Sequence, residues 1–252
     1  MGADVMRWMY CTTRPENNLL FGYKRADEVK RRFLIPLWNI YSFFVTYANL
    51  DKWTPQSAPE PTSLSLLDRW ILSKANILVE DATTCLNDFD PYNAATSIER
   101  FVEELSTWYV RRSRRRFWKS EKDDDKNAAY ATLYRCLTIL TKLLAPFLPF
   151  STEELYQNLV RAVYQKSPES VHHNDWPVPD KKAVNEELMA NMDLAIKVCE
   201  LGRSARGKAG IKLRQPLSKV VVFGESTALE RVEALKDLVA EPIFSAPLFG
   251  GH

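Results

Sequence analysis

A mainly α-helical bundle followed by a small α+β subdomain is the fold class the sequence predicts, on three observations. Only eight glycines occur in 252 residues, so few helix-weakening positions interrupt the chain. Apolar residues recur at steps of three and four over long stretches, the period of a helix with one buried face. Prolines gather in short segments between those stretches and mark the connections.

Taken in order, residues 24–50 read as one long helix with Val29, Phe33, Leu37, Ile40, Phe44 and Tyr47 on its apolar side and a kink at Pro36. Pro55, Pro59 and Pro61 place an exposed connection between Lys52 and Ser63. A second helix spans about 64–86 and ends at the Asn87-Asp-Phe-Asp-Pro segment. A third starts near Tyr92, and a fourth runs from about Lys126 to Leu144 after an acidic turn at 123–125. A fifth covers 151–164, with Ser151 or Thr152 as its cap ahead of Glu154. Lengths and loops of this kind belong to a helical bundle. After a proline-marked stretch, a helix is expected from Asn185 to Arg206, extended structure over Ile211–Phe223, where Val220, Val221, Val222 and Phe223 favour a strand, and a last helix from Thr227 to Val239.

Composition excludes several classes of function. The net charge of +2 means that attraction to a polyanion must come from local clustering. Cys11, Cys85, Cys136 and Cys199 are far apart and none pairs at zinc-ligand spacing, which argues against a disulfide framework or structural zinc and for a reducing cytoplasm. The apolar run 143–150 is too short to span a bilayer and holds two prolines, and no cleavable leader pattern opens the chain. There is no glycine-rich phosphate loop and no metal or nucleophile constellation, so no catalytic or metal-binding residue is assigned. His172 and His173 sit together on a proline-flanked loop and suit a surface role better than a ligand one.

The third helix carries the most informative segment. Ile98, Phe101, Val102, Leu105, Trp108 and Tyr109 trace its buried stripe, and from Arg111 to Lys119 there follow six cations and no anion. Continuing the wheel at about 100° per residue puts Arg112 and Arg116 on the core side as structural arginines that need carboxylate or carbonyl partners. Arg111, Arg114 and Arg115 fall on another flank with Trp118 and, one residue on, Lys119. That flank suits phosphates, with Trp118 free to stack on an exposed base. The competing reading is a solvated face with ion pairs to Glu103, Glu104, Glu121 and Asp123 to Asp125. A second basic stretch holds Arg203, Arg206, Lys208, Lys212, Arg214 and Lys219, with Gly207 and Gly210 allowing a tight turn and close approach to a ligand. The first five of these cations are further candidates for RNA contact, against the alternative of a helix end decorated with cations that complement its dipole.

The strings Trp108-Tyr-Val-Arg-Arg-Ser-Arg-Arg-Arg-Phe-Trp-Lys, Leu144-Ala-Pro-Phe-Leu-Pro-Phe-Ser-Thr-Glu-Glu-Leu-Tyr and Ile211-Lys-Leu-Arg-Gln-Pro-Leu resemble, in that order, the anticodon-binding part of isoleucyl-tRNA synthetase, a class I aminoacyl-tRNA synthetase. Gly2-Ala-Asp-Val-Met-Arg-Trp resembles the segment just after that enzyme's lysine-rich ATP loop, and Pro36-Leu-Trp-Asn-Ile-Tyr-Ser-Phe-Phe-Val-Thr-Tyr-Ala-Asn the first long helix of its anticodon domain. The resemblance implies four regions: residues 1–23 as the end of a catalytic domain, 24–165 as the anticodon-binding bundle, 166–184 as a linker, and 185–252 as a truncated C-terminal subdomain. It implies isoleucine tRNA as partner, along with the catalytic domain of the same parent chain, and a cytoplasmic monomer with no membrane contact. This piece would need no cofactor. ATP and magnesium would serve the parent ligase, whose His-x-Gly-His and Lys-Met-Ser-Lys-Ser motifs do not occur here. Two alternatives remain open: the equivalent domain of a valyl-type synthetase, and a helical scaffold for acidic protein partners.

Overall fold

The protein is described from a computed structural model covering residues 2–121, 123–212, 215, 217, 221–236 and 238–239. It divides into two compact units, Met1–Val184 and Asn185–His252.

Among the described residues the first unit is a bundle of eight α-helices: α1 (Ala3–Cys11), α2 (Tyr23–Val29), α3 (Ile35–Asp51), α4 (Leu66–Asn87), α5 (Pro91–Glu104), α6 (Arg111–Trp118), α7 (Asp124–Leu144) and α8 (Pro149–Tyr156). Each long helix begins where sequence chemistry dictates. Ser65 and Asp68 form a capping box on α4, Asp90 accepts from Asn93 with Pro91 in the first turn of α5, and Asp123 accepts from the Lys126 amide at 2.7 Å to start α7.

The expected 24–50 helix is present as a continuous helical run, but it is not an ordinary kinked helix. Between α2 and α3, Lys30–Leu34 winds as a π turn, in which the Ile35 amide donates to the carbonyl five residues back, Lys30. Pro36 lacks an amide hydrogen, and its ring would clash with the carbonyl of Arg32 in a regular helix. The wider turn just before it accommodates the proline without ending the helix. Phe33, Leu37, Ile40 and Phe44 then all face the core. Trp8 of α1 stacks on Phe33 at 3.9 Å, and Phe44, Trp53, Tyr130 and Tyr134 form one aromatic cluster between α3, the following loop and α7.

Two connections are held more firmly than their composition suggests. The 52–63 segment is fixed to the first turn of α7, since Trp53 donates to Asn127 at 2.9 Å, Asn127 donates to the Pro59 carbonyl, and Asp124 accepts from the Thr62 amide and hydroxyl. Residues 166–184, expected as a linker, run back along α4. Trp176 donates to Thr83, the Asp180 amide to Asn76, and Ser73 to the Ala183 carbonyl, so three polar side chains at descending positions on α4 take three ascending positions of the segment.

The expected cap of the fifth helix is a correction. Helix α8 starts at Pro149 with Leu148 in the cap position and no side-chain cap of its own. Asp4 of α1 supplies the acceptor instead, at 2.7 Å from the Ser151 amide and 2.5 Å from its hydroxyl. Thr152 is interior and donates back to the Leu148 carbonyl.

The second unit contains α9 (Glu186–Lys208), capped by Asn185, and α10 (Ser226–Glu233), where a helix from 227 to 239 was expected. Among the described residues it has no strand, and the α+β character that the valines suggested is not shown there. Val221, Val222 and Phe223 form no ladder with a described residue; strand propensity produces a strand only where another chain segment pairs with its amides and carbonyls. Val220 and most of 213–219 lie outside the described residues. Among the described residues no helix is long and apolar enough to cross a membrane.

Asp4→Ala should lower the stability of the chain by about 0.5 to 2 kcal/mol, the usual effect of losing a helix cap. The melting temperature followed by circular dichroism should fall by a few degrees; no fall would show that the contact from α1 does not stabilise α8.

Candidate nucleic-acid interface

The arginine segment lies at the end of one nearly unbroken helix, α5 and α6, joined by a second π turn over Leu105–Val110. Up to Tyr109 the expected stripe holds: Ile98, Phe101, Val102, Leu105, Trp108 and Tyr109 are all buried. The Arg111 amide then donates to Ser106, five residues back, and the extra residue in that turn slips the register by one. A wheel at constant pitch gives the core positions to Arg112 and Arg116. The structure gives them to Ser113 and Phe117, with Arg112 and Arg116 half-buried at the margin.

Those two arginines use the margin differently. Arg112 places its guanidinium 4.3 Å from the centre of the Trp108 ring, a cation–π contact. Arg116 makes a two-pronged pair with Asp68 at 2.8 and 2.7 Å, donates to the Asp125 carbonyl, and lies 2.8 Å from the Asp125 carboxylate. Asp68 has no exposure, and it also accepts from the Tyr109 hydroxyl at 2.6 Å and from the Ser65 amide at 2.9 Å. One carboxylate therefore caps α4 and ties down both the π turn and α6. Burial alone would push its pKa up; the bonds and charge of Arg116, with those of Tyr109 and Ser65, outweigh that and hold it below the ordinary carboxylate range. Burial and the charge of Asp68 push the Tyr109 phenol well above its usual value, so it stays a donor.

Lys119, expected on the RNA side, is engaged within the protein by Asp123 at 3.1 Å and Asp125 at 3.0 Å. The acidic turn that sequence offered as a general counter-charge thus neutralises Arg116 and Lys119 specifically. Arg111, Arg114 and Arg115 are exposed and form no ion pair with a described residue. They crowd three like charges into little more than one helical turn, an arrangement that is mildly unfavourable in water alone. Trp118 beside them is 56% exposed.

In the second unit the expected basic residues separate. Lys208 and Lys212 are exposed and Arg203 is half-buried, while Arg214 lies outside the described residues. Arg206 departs from expectation: it is 3% exposed and donates to the carbonyls of Lys212 and Gln215. The glycine turn explains this. Gly210 takes a left-handed φ of 68°, and the chain folds back over the helix end so that those carbonyls meet the guanidinium. Among the described residues there is no group of histidine, cysteine or carboxylate side chains arranged to hold a metal ion.

Sequence reasoning did not single out Asp68, and it placed Tyr109 on the buried stripe without the bond its hydroxyl makes. For Asp68 a signal existed, the Ser-x-x-Asp spacing of a capping box, but nothing local linked it to an arginine 48 positions away.

The first unit is thus a helical bundle with three exposed arginines that pair with no described carboxylate, and comparison with known proteins gives the chain a family. Residues 68–222 match the family model described as the anticodon-binding domain of tRNA ligase, and the chain belongs to that family. It is 54% identical over 228 residues to the isoleucine–tRNA ligase of Dehalococcoides mccartyi strain CBDB1, covering 90% of this chain and 22% of the relative. It is 46% identical over 242 residues to that of Thermus thermophilus, with 95% and 23% covered, and 45% identical over 222 residues to that of Clostridium tetani, with 88% and 21% covered. The chain spans only about a fifth to a quarter of the length of these relatives.

Arg116→Ala should destabilise the chain by about 3 to 5 kcal/mol, since it leaves the Asp68 carboxylate buried and unpaired. The folded pKa of Asp68 lies below its unfolded value of about 3.9. The clamp therefore stabilises fully above that pH, and its contribution is lost as pH falls through the folded value. Urea unfolding should show stability dropping below about pH 4, and less steeply in Asp68→Asn. Equal acid sensitivity in the two proteins would remove Asp68 as the source.

Proposed function

We propose that this chain is the part of an isoleucine–tRNA ligase that grips the anticodon stem-loop of tRNA. In this reading Arg111, Arg114 and Arg115 meet backbone phosphates, while Trp118 stacks on a base turned out of the loop. The observation that carries it is the partition on α6: the fold neutralises Arg116 and Lys119 with its own carboxylates and seats Arg112 on Trp108, yet leaves three neighbouring guanidinium groups to solvent. Fork-shaped donors in a row match phosphates, and counterion release favours their union. Family membership and the names of the relatives support tRNA as the kind of RNA and isoleucine as the amino acid. Lys208, Lys212 and Arg203 form a second set of cations for the same tRNA.

Joining isoleucine to tRNA, with ATP and magnesium, belongs on this reading to other parts of a longer cytoplasmic protein, and residues 1–23 are the tail of its catalytic portion. The chain by itself holds RNA and carries out no chemistry.

Arg114→Ala should weaken binding to all tRNAs about equally and reduce the slope of log affinity against log salt by about 0.7 to 0.9, with no change in fold. Trp118→Ala should lose about 1 to 3 kcal/mol against an anticodon stem-loop and much less against a plain duplex of similar length. Salt series on both RNAs by fluorescence anisotropy read both effects. If both variants bind like the parent while folded, α6 is not the RNA surface; preference for polyglutamate over tRNA would favour the protein-scaffold reading.

A further inference from the structure

Trp118 is more than half exposed, yet its indole is not left to choose its own orientation. The ring N–H donates to the Tyr47 hydroxyl of α3 at 2.7 Å. Tyr47 is braced in turn, with Phe43, one helical turn earlier, 4.8 Å from its ring. Phe43 meets the buried Phe117 edge-on at 5.1 Å. Phe117 and Trp118 are consecutive and leave α6 about 100° apart, so the last turn of α6 holds a single turn of α3 with both side chains. One of these grips is apolar and buried. The other is a hydrogen bond at the surface, which does little for the core but selects one rotamer of an otherwise free ring.

We infer that Tyr47 is a positioning residue for RNA binding, holding the Trp118 indole in the plane on which a turned-out nucleobase stacks. This rests on Trp118 being the stacking platform proposed above, and it makes α3 part of the binding machinery although α3 brings no cation to it. A platform already fixed in its bound orientation loses less side-chain freedom when the base arrives. The bond also occupies the indole N–H, so the ring offers the base its π face rather than a donor, and such a surface accepts any base that is unstacked.

Tyr47→Phe keeps the ring and its packing on Phe43 and removes only the hydroxyl. It should leave the melting curve of the chain unchanged and weaken an anticodon stem-loop about 3- to 10-fold, or about 0.7 to 1.4 kcal/mol at 1.4 kcal/mol per factor of ten. Affinity for a plain duplex and the salt slope should stay as in the parent, because no phosphate contact is lost. In a Trp118→Phe background, which has no N–H to hold, Tyr47→Phe should have no further effect. A purely structural tyrosine would weaken both RNAs together, or would act equally in both backgrounds, and either result overturns the inference. Parent-like binding by Tyr47→Phe with weak binding by Trp118→Ala also overturns it, while leaving the platform standing. If Trp118→Ala binds like the parent, the platform and this inference fall together.

Discussion

A single buried carboxylate organises the arginine-bearing end of this bundle. Asp68 has no exposure, and it accepts bonds from three places: the start of its own helix, the π turn through Tyr109, and α6 through Arg116. An unpaired charge there would be very costly, and a pair of good geometry with every lone pair engaged is what makes it tolerable. The same bonds fix the rotation of α6. With Arg116 turned in toward Asp68, the arginines about 100° and 200° away, Arg115 and Arg114, must turn out. The apolar packing of Phe117 on Tyr130 and Phe43 sets how deep α6 sits; the Asp68 pair sets which of its cations are spent inside.

The π turn makes this arrangement possible. Had α5 continued at ordinary pitch, two arginines would have occupied full core positions, with Phe117 displaced toward solvent. One extra residue in a turn moves a small serine and a phenylalanine into the core and leaves Arg112 and Arg116 at a margin where a ring face and a carboxylate can reach them. A π turn weakens local hydrogen bonding. Its persistence beside the arginine row is consistent with the stabilisation that the better placement of Arg112, Arg116 and Phe117 brings.

Much of the bundle was legible because helical period and cap chemistry are local properties. The helix carrying the arginines, its buried stripe through Tyr109 and the acidic start of α7 could all be read from neighbouring residues. What could not be read depends on partners remote in sequence or on a departure from regular pitch. Asp4 caps a helix 147 positions away, which no local pattern announces. Arg206 looks like a surface cation until the turn at Gly210 brings two carbonyls over it. The slip at Leu105–Val110 leaves no signature in residue type, so the wheel that placed Arg112 and Arg116 fully inward was one residue out. The exposed trio Arg111, Arg114 and Arg115 sits on the flank the wheel gave it, because a slip of one residue moves that broad face only to its edge.

Chemical labelling reads the division of the arginines into inward and outward groups residue by residue. The folded chain would be treated with a guanidinium-selective dicarbonyl reagent, with and without an isoleucine tRNA transcript, and modification of each arginine quantified by mass spectrometry. Arg111, Arg114 and Arg115 should react readily in the free chain and be protected by the RNA, while Arg116 should stay unreactive in both. Ready modification of Arg116 in the folded chain, or an outward trio that reacts equally well with the RNA bound, would contradict this.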